Sequence, residues 1–367
     1  MKIGILTYHR AENYGALLQA YAMMTYLRSQ GHEVSFVDYW PKYHSDYFRL
    51  LPWQQLSKRN GYKKVHFLVQ LLLWLMPRYI RKKKFQNFMY NRLNLSKVPR
   101  YKNRDSKTDR FDIVVYGSDQ IWRKQNLGGI GFDDWYFGSD HVLADRKIVY
   151  AGSMGMIDTT AEDEKFVQDM MDNFNSISVR EKDLQLYLNS LGVSASLTLD
   201  PVFFLSKEQW RSIVKKTKGK KDKYVLFYNL LNTPESKKFA EKLGREKKLP
   251  IREINKKMVF SHLMNKRYIC TASVEKFLYL ILNAEYVVSN SFHGVAMSIL
   301  FEKQFFAVGM KNRSSRVISL LDSIGLSERY SADGYNMQDC EIDYINVGKK
   351  LLLLRKSSTV FLNDSLN

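Results

Sequence analysis

Cysteine is scarce: Cys270 and Cys340 are the only two in 367 residues. A pair so far apart supplies neither a disulfide framework nor a thiolate metal cluster, so no zinc site is expected and the chain suits a reducing compartment. Glycine is missing where a dinucleotide site would need it. The first strand-to-helix loop, residues 8–15, contains only Gly15, so the three-glycine turn against a pyrophosphate is absent and NAD and FAD are not expected. Apolar runs are short as well. The longest of note, residues 65–76, is 12 residues, broken by His66 and Gln70 and followed by Pro77, too short to span a bilayer. The chain opens directly on a strand pattern, with no signal-peptide core and cleavage site, and a cytoplasmic protein is expected.

Acidic residues run low in one region. Between Lys42 and Arg110 there are eighteen Lys and Arg against three Asp, which accounts for most of the formal charge of +20. Such a block calls for an anionic partner: nucleic acid, anionic lipid or a phosphorylated substrate. With Lys63 and Lys64 before it and basic residues after it, the 65–76 segment suits a helix lying in a membrane interface. The alternative is a helix packed on its own domain with a solvated basic face. Aromatic residues are plentiful, 23 Tyr, 21 Phe and 6 Trp in a chain that is 45% apolar, so a globular protein with two sizeable cores is expected.

Short β-branched and apolar runs alternate with helical periodicity, predicting an α/β protein. Residues 2–7 and 33–39 read as strands flanking a helix over 16–27. Residues 42–105 interrupt the rhythm as a basic helical insertion. Strands at 111–116, 147–153 and 176–181 continue it to a first domain of residues 1–215. A polar run over 215–223 reads as a linker. A second α/β domain follows over 224–345, with strands at 224–228, 250–254, 286–289 and 305–309, and residues 346–367 form a terminal helix or tail.

Polar residues gather where strands end, which is where ligands collect in parallel sheets. Residues 286–301 read as strand, Ser-Asn-Ser turn and helix, so a helix starting near Phe292 would aim unpaired N–H groups at a bound anion, with His293 at the mouth. Asp119, after the strand at 111–116, could activate a hydroxyl. Arg180 falls at another strand end.

Gly15 within Asn13-Tyr14-Gly15-Ala16, then Gly117-Ser118-Asp119-Gln120-Ile121-Trp122, Ser178-Val179-Arg180-Glu181, Asp200-Pro201 and Asn290-Ser291-Phe292-His293-Gly294, in this order and spacing, resemble the polysaccharide pyruvyl transferase family. The resemblance implies two Rossmann-like domains facing across a cleft, the glycosyltransferase B arrangement, with the N-terminal domain on the acceptor side and the C-terminal domain on the donor side. It implies phosphoenolpyruvate as co-substrate, a sugar diol as acceptor and a pyruvate ketal as product, with no further cofactor and no metal. Arg180, Ser291, Lys311 and Arg313 are then expected around the donor, although Ser291 stands where some family members carry a basic residue. His293 is expected to deliver a proton to the enol carbon and Asp119 to activate a hydroxyl. Asn13, Tyr14 and Ser118 are expected to contact substrate. A lipid-linked oligosaccharide acceptor would bring the enzyme to an anionic membrane surface.

Two rival readings share parts of this pattern. A nucleotide-sugar glycosyltransferase would share the fold and the cleft, and only the motifs speak against it. A nucleic-acid binder would use the basic block, but that block surrounds a Leu-rich stretch and contains no recognised nucleic-acid module.

Overall fold

The structure is a computed structural model that describes residues 1–50, 60–125, 131–214, 222–255, 262, 265–310, 314–334 and 340–367. In the N-terminal half, β1 (Lys2–Leu6), α1 (Tyr14–Ser29) and β2 (Glu33–Phe36) form the first βαβ unit. The inserted helices α2 (Lys42–Tyr47) and α3 (Gly61–Asn91) follow. The chain then resumes the sheet with β3 (Phe111–Tyr116), β4 (Ala144–Gly152), α4 (Ala161–Met171), β5 (Ser176–Val179), α5 (Lys182–Ser190), β6 (Ser196–Leu197) and α6 (Lys207–Ile213). The strands are all parallel, in the order β2-β1-β3-β4-β5-β6.

The second half repeats the plan with β7 (Val225–Asn229), α7 (Pro234–Glu246), β8 (Ile251–Asn255), α8 (Val274–Leu282), β9 (Tyr286–Ser289), α9 (Phe292–Leu300), β10 (Gln304–Val308), α10 (Ser315–Ile324) and β11 (Tyr330–Ser331). Its parallel order is β11-β10-β9-β7-β8. Every residue of β7 is buried and nearly all of β3, as helices on both faces require. Strand order reverses between β1 and β3 in one sheet and between β7 and β9 in the other. These are the switch points at which open α/β sheets form a crevice. The protein is thus two Rossmann-like domains in the glycosyltransferase B arrangement.

The halves share a core. Tyr14, at the start of α1, stacks on Phe277 of α8 with centroids 4.4 Å apart, and its hydroxyl donates to Ala272 O. The final helix, α11 (Tyr344–Leu366), returns to the N-terminal domain. There Ser358 Oγ accepts from Leu199 N, Tyr26 donates to Asn363 Oδ1, and Leu362 is buried. Most of the expected linker, residues 215–221, lies outside the described residues.

Several elements differ from the sequence expectation: β4 starts at Ala144, β5 ends at Val179, and β6 and β11 are additional short strands. Two further differences have a clear physical reason. Pro77 does not close its helix; α3 runs through it to Asn91. Phe85, Phe88 and Met89, beyond the proline, are almost fully buried. Three large apolar side chains at about 1.5–3 kcal/mol each outweigh the ~3 kcal/mol of an internal proline. The strand expected over 33–39 ends at Phe36 because Asp38 turns inward, accepting from Arg10 Nη2 at 2.6 Å with His9 Nε2 at 3.1 Å. That cluster pins the β1–α1 loop. The C-terminal helix should prove structural: Leu362→Ala is expected to lower stability by about 2–5 kcal/mol, the range for emptying a packed core position, read from urea unfolding midpoints.

Candidate active site

A cavity of about 690 Å³ lies between the two switch points. Its N-terminal wall comes from the loop after β1 (Tyr8 to Tyr14), from Trp40 and α2, and from the loop after β3 (Asp119 to Gln125). Its C-terminal wall comes from residues at and after the ends of β7 and β9, from Ile254 and Asn255 at the end of β8, and from Met310 and Arg316.

The centre of the site is Asp200, which is buried. Its Oδ2 accepts from Arg180 Nη1 and, at 3.0 Å, from Ser118 Oγ, and its Oδ1 accepts from Val202 N. Ser118 Oγ in turn accepts from Arg180 at 3.1 Å. His293 Nε2, from the other domain, stands 3.5 Å from the same Asp200 oxygen. Burial alone would raise the Asp200 carboxyl, but the facing His293 and Arg180 hold it well below the usual carboxylate range. His293 is also placed from its other side. A Cβ built on Gly15 would lie 2.0 Å from His293 Nδ1, so only glycine in the first turn of α1 lets the ring sit there. Gly294 plays the matching part in α9: a Cβ there would lie 2.2 Å from Ser289 Oγ and 2.8 Å from the Tyr228 ring. Its absence lets α9 approach β9 and β7 closely. Asn290 fixes the turn between, its Oδ1 accepting from Leu230 N and Leu231 N and its Nδ2 donating to Asn229 and Ser236.

The C-terminal wall is prepared for an anion. Helix α9 has no side-chain cap at Ser291, so its first-turn N–H groups keep no partner within the helix. Arg316, in the first turn of α10, lines the cavity with no ion pair among the described residues. Its guanidinium carbon lies 5.9 Å from the Phe292 ring centroid, with that of Arg180 at 5.1 Å. Burial, and then repulsion from Arg180, pushes Arg316 down to about 10, so it remains a cation at neutral pH. Glu181, buried behind them, accepts from Ser153 Oγ. Burial pushes its carboxyl up against the pull of Arg180 and Arg316.

The opposite wall is aromatic. Trp40 and His44 stack at 4.9 Å and 13°, Tyr8 meets His44 edge-on at 4.9 Å, and Phe48 continues the surface from Trp40. Tyr43 and Tyr39 both donate to the buried Asp133. Burial, with His9 nearby, pushes the His44 imidazole down to about 3, so it is neutral at any working pH. Asp119 also reaches this wall. Its backbone has φ +82, in the left-handed region, and its Oδ1 accepts from Gln120 N at 2.8 Å with Arg180 Nη2 at 3.4 Å.

The structure therefore brings His293, Asp119, Asn13, Tyr14 and Ser291 to the cavity. Asn13 caps α1 by accepting from Gly15 N, and the Tyr14 hydroxyl is taken by Ala272 O. Ser118 and Arg180, expected in contact with substrate, lie behind the wall, with Ser118 Oγ and Arg180 Nη1 engaged at Asp200 and Arg180 Nη2 turned to Asp119. Full burial in that ion cluster leaves them to position their neighbours. Lys311 and Arg313 lie outside the described residues. Sequence reasoning quoted Asp200 only as a motif member and missed its role. The Asp-Pro pair before an apolar run reads as a helix start, and nothing local reveals the partners from three other segments. The wall from Trp40 to Phe48 was missed too, because Tyr43 and His44 sit in the basic block.

A family model for polysaccharide pyruvyl transferase matches residues 13–312. A comparison with curated protein sequences finds no match. Among solved structures the chain is similar to E. coli heptosyltransferase WaaC with ADP, at 10% identity and TM-score 0.41, covering 96% of this chain and 100% of that one. It is similar to Methanocaldococcus jannaschii UDP-GlcNAc 2-epimerase in complex with UDP-GlcNAc and UDP, at 12% and 0.45, covering 97% and 100%. It is similar also to S. aureus MnaA with UDP, at 12% and 0.44, covering 96% and 88%. Likeness this loose carries no functional weight, and the fold assignment rests on the strand orders above.

The Asp200 cluster makes a stability prediction. Asp200→Asn leaves Arg180 buried beside a neutral amide and should cost about 3 kcal/mol or more. Because the Asp200 carboxyl is held low in the folded state, its stabilisation is complete above about pH 4 and is lost as the pH falls below that. The Asn variant should therefore lose less stability than the parent between pH 7 and pH 3. Urea unfolding at the two pH values checks this, and equal losses would show that Asp200 does not carry the acid sensitivity.

Proposed function

The chain belongs to the polysaccharide pyruvyl transferase family, and from that premise we propose that it transfers the three carbons of phosphoenolpyruvate to two hydroxyls of one sugar, forming a pyruvate ketal. The carrying observation is the pairing, in one cavity, of an uncapped helix end and an Arg316 without an ion pair among the described residues with a histidine oriented by a buried aspartate. Phosphoenolpyruvate needs both features. Its phosphate and carboxylate suit the α9 terminus and Arg316, with Lys311 and Arg313, from the segment that precedes α10, as further donor cations.

In the proposed reaction His293 gives a proton to the terminal enol carbon, and the adjoining carbon becomes an oxocarbenium-like centre. A first sugar hydroxyl attacks that carbon and releases its proton, with Asp119 positioned to take it. Cleavage of the carbon–oxygen bond to phosphate regenerates the cationic centre. A second hydroxyl of the same sugar then attacks and closes the ketal, so that phosphate leaves and two hydroxyl protons replace the one consumed. Arg180 and Ser118 serve by holding Asp200, and Asp200 serves by orienting His293. The sugar lies on the N-terminal wall, where aromatic rings suit its C–H faces. An acceptor carried on a lipid would be met at an anionic membrane surface, with the enzyme peripherally associated there.

Phosphoenolpyruvate at about one hundred times its dissociation constant should stabilise the protein by about 2.7 kcal/mol, visible as a raised melting temperature. Nucleotide sugars should not do so. Arg316→Ala should abolish most of that shift. Stabilisation by a nucleotide sugar alone would instead favour a glycosyltransferase.

His293→Gln and Gly15→Ala should each cut phosphate release in the presence of acceptor by about 100-fold or more. The first removes the acid and the second displaces it. Donor binding should weaken only mildly in the Gln variant. A Gln variant with normal turnover and a raised donor dissociation constant would make His293 an anion-binding group.

A further inference from the structure

Helix α3 contains no carboxylate, and its cations fall in two groups: Lys63 and Lys64 in the first turn, and five more over residues 78–84, just past its middle. Between them Val65, Leu68, Val69, Leu72, Leu73 and Met76 recur at the spacing of a single helix face. All six are exposed, Leu72 at 71% and Met76 at 65%, while Leu71 and Trp74 turn inward and are buried. The stripe runs roughly 17 Å along the axis at 1.5 Å per residue. A contiguous aliphatic stripe of this length facing water marks an interaction surface.

The charges say what covers it. Lys82 is committed within the protein, donating to Glu12 at 2.9 Å and to Phe48 O, and Lys84 donates to Thr271 O. Arg81 turns to the cavity, and Arg78 is half-buried. That leaves the exposed Lys63, Lys64 and Lys83 flanking the stripe, with Tyr62 and Tyr79 exposed beside them. A second copy of this chain would set the same cations against each other. Nucleic acid would meet the cations but find aliphatic carbon where bases stack. An anionic lipid surface offers phosphates to the lysines, acyl carbon to the stripe and an interfacial zone to the tyrosines.

We propose that this face of α3 is a membrane-docking surface, with the helix lying in the headgroup plane of an anionic bilayer. The surface is the first half of the helix, not the cluster over residues 81–84 that charge counting alone would pick. Arg81 lines the cavity five residues past Met76, so docking brings the cavity close to the lipid headgroups. On the function proposed above, a lipid-borne acceptor would be delivered there; the docking itself does not depend on that reading.

Flotation of the full-length protein with vesicles tests the surface. The protein should float with phosphatidylcholine vesicles that contain phosphatidylglycerol, and at least about tenfold less with phosphatidylcholine alone. The double variant Leu72→Glu, Met76→Glu should lose flotation by at least about tenfold, with melting temperature and any phosphoenolpyruvate-induced shift unchanged. Lys63→Gln with Lys64→Gln should weaken binding and reduce its salt sensitivity. Wild-type protein that stays at the bottom of the gradient overturns the proposal, as does a Glu variant that floats like the parent. A parent that sediments as a dimer and a Glu variant that sediments as a monomer, with neither floating, would assign the face to a second copy. Flotation needs no phosphoenolpyruvate, so a failure here and a failure of the donor reading are separate results.

Discussion

A single buried carboxylate organises the centre of this protein. Asp200 draws Arg180 from the end of β5, Ser118 from the end of β3 and His293 from the start of α9 to one oxygen atom. Burying charges costs several kcal/mol each unless they are matched in place. The cluster therefore holds only if both domains are correctly seated. Gly15 and His293 make the same point sterically, since the ring occupies the volume that any other residue would fill. Domain closure and the placement of the histidine are one event.

The cavity walls differ in kind. The C-terminal wall offers a helix end and a guanidinium, which suit a compact, doubly charged donor. The N-terminal wall offers stacked rings and a neutral imidazole, with Glu12, Arg81, Arg123 and Lys124 also lining it, which suits a larger, polar ligand. Asp119 and His293 both line the space between the walls. Two substrates of opposite character can then meet without competing for the same contacts.

The inserted helix α3 divides near its internal proline. Beyond it, Phe85 and Phe88 enter the core, and Phe85 lies 4.9 Å from Tyr14, the residue that stacks on α8. This half braces the domain junction. The half before it carries the exposed aliphatic stripe and touches the fold through Leu71 and Trp74. One helix thus connects the cavity wall to the outer surface.

Much of this protein was legible in its sequence because the signals are local. Short β-branched runs between helical periods mark the strands of both sheets, since alternation and propensity act within a few residues. The strand-turn-helix from Tyr286 to Leu300 revealed an anion-ready end, because capping depends only on neighbours. What the sequence did not show depends on distant partners. Arg180 and Ser118 looked like substrate contacts from their position at strand ends, yet tertiary packing turned both onto Asp200. Pro77 looked like a helix end, yet core burial of residues two and three turns later carried α3 through it. His44, within the basic segment, and Trp40, just before it, lay unnoticed until the chain after β2 folded them against Tyr8. Periodicity and turn chemistry are properties of a few consecutive residues, so the sequence determined most of the elements, though not every end. Pairing of buried charge is a property of three-dimensional proximity, so only the fold decided which polar groups face the cavity and which hold the wall in place.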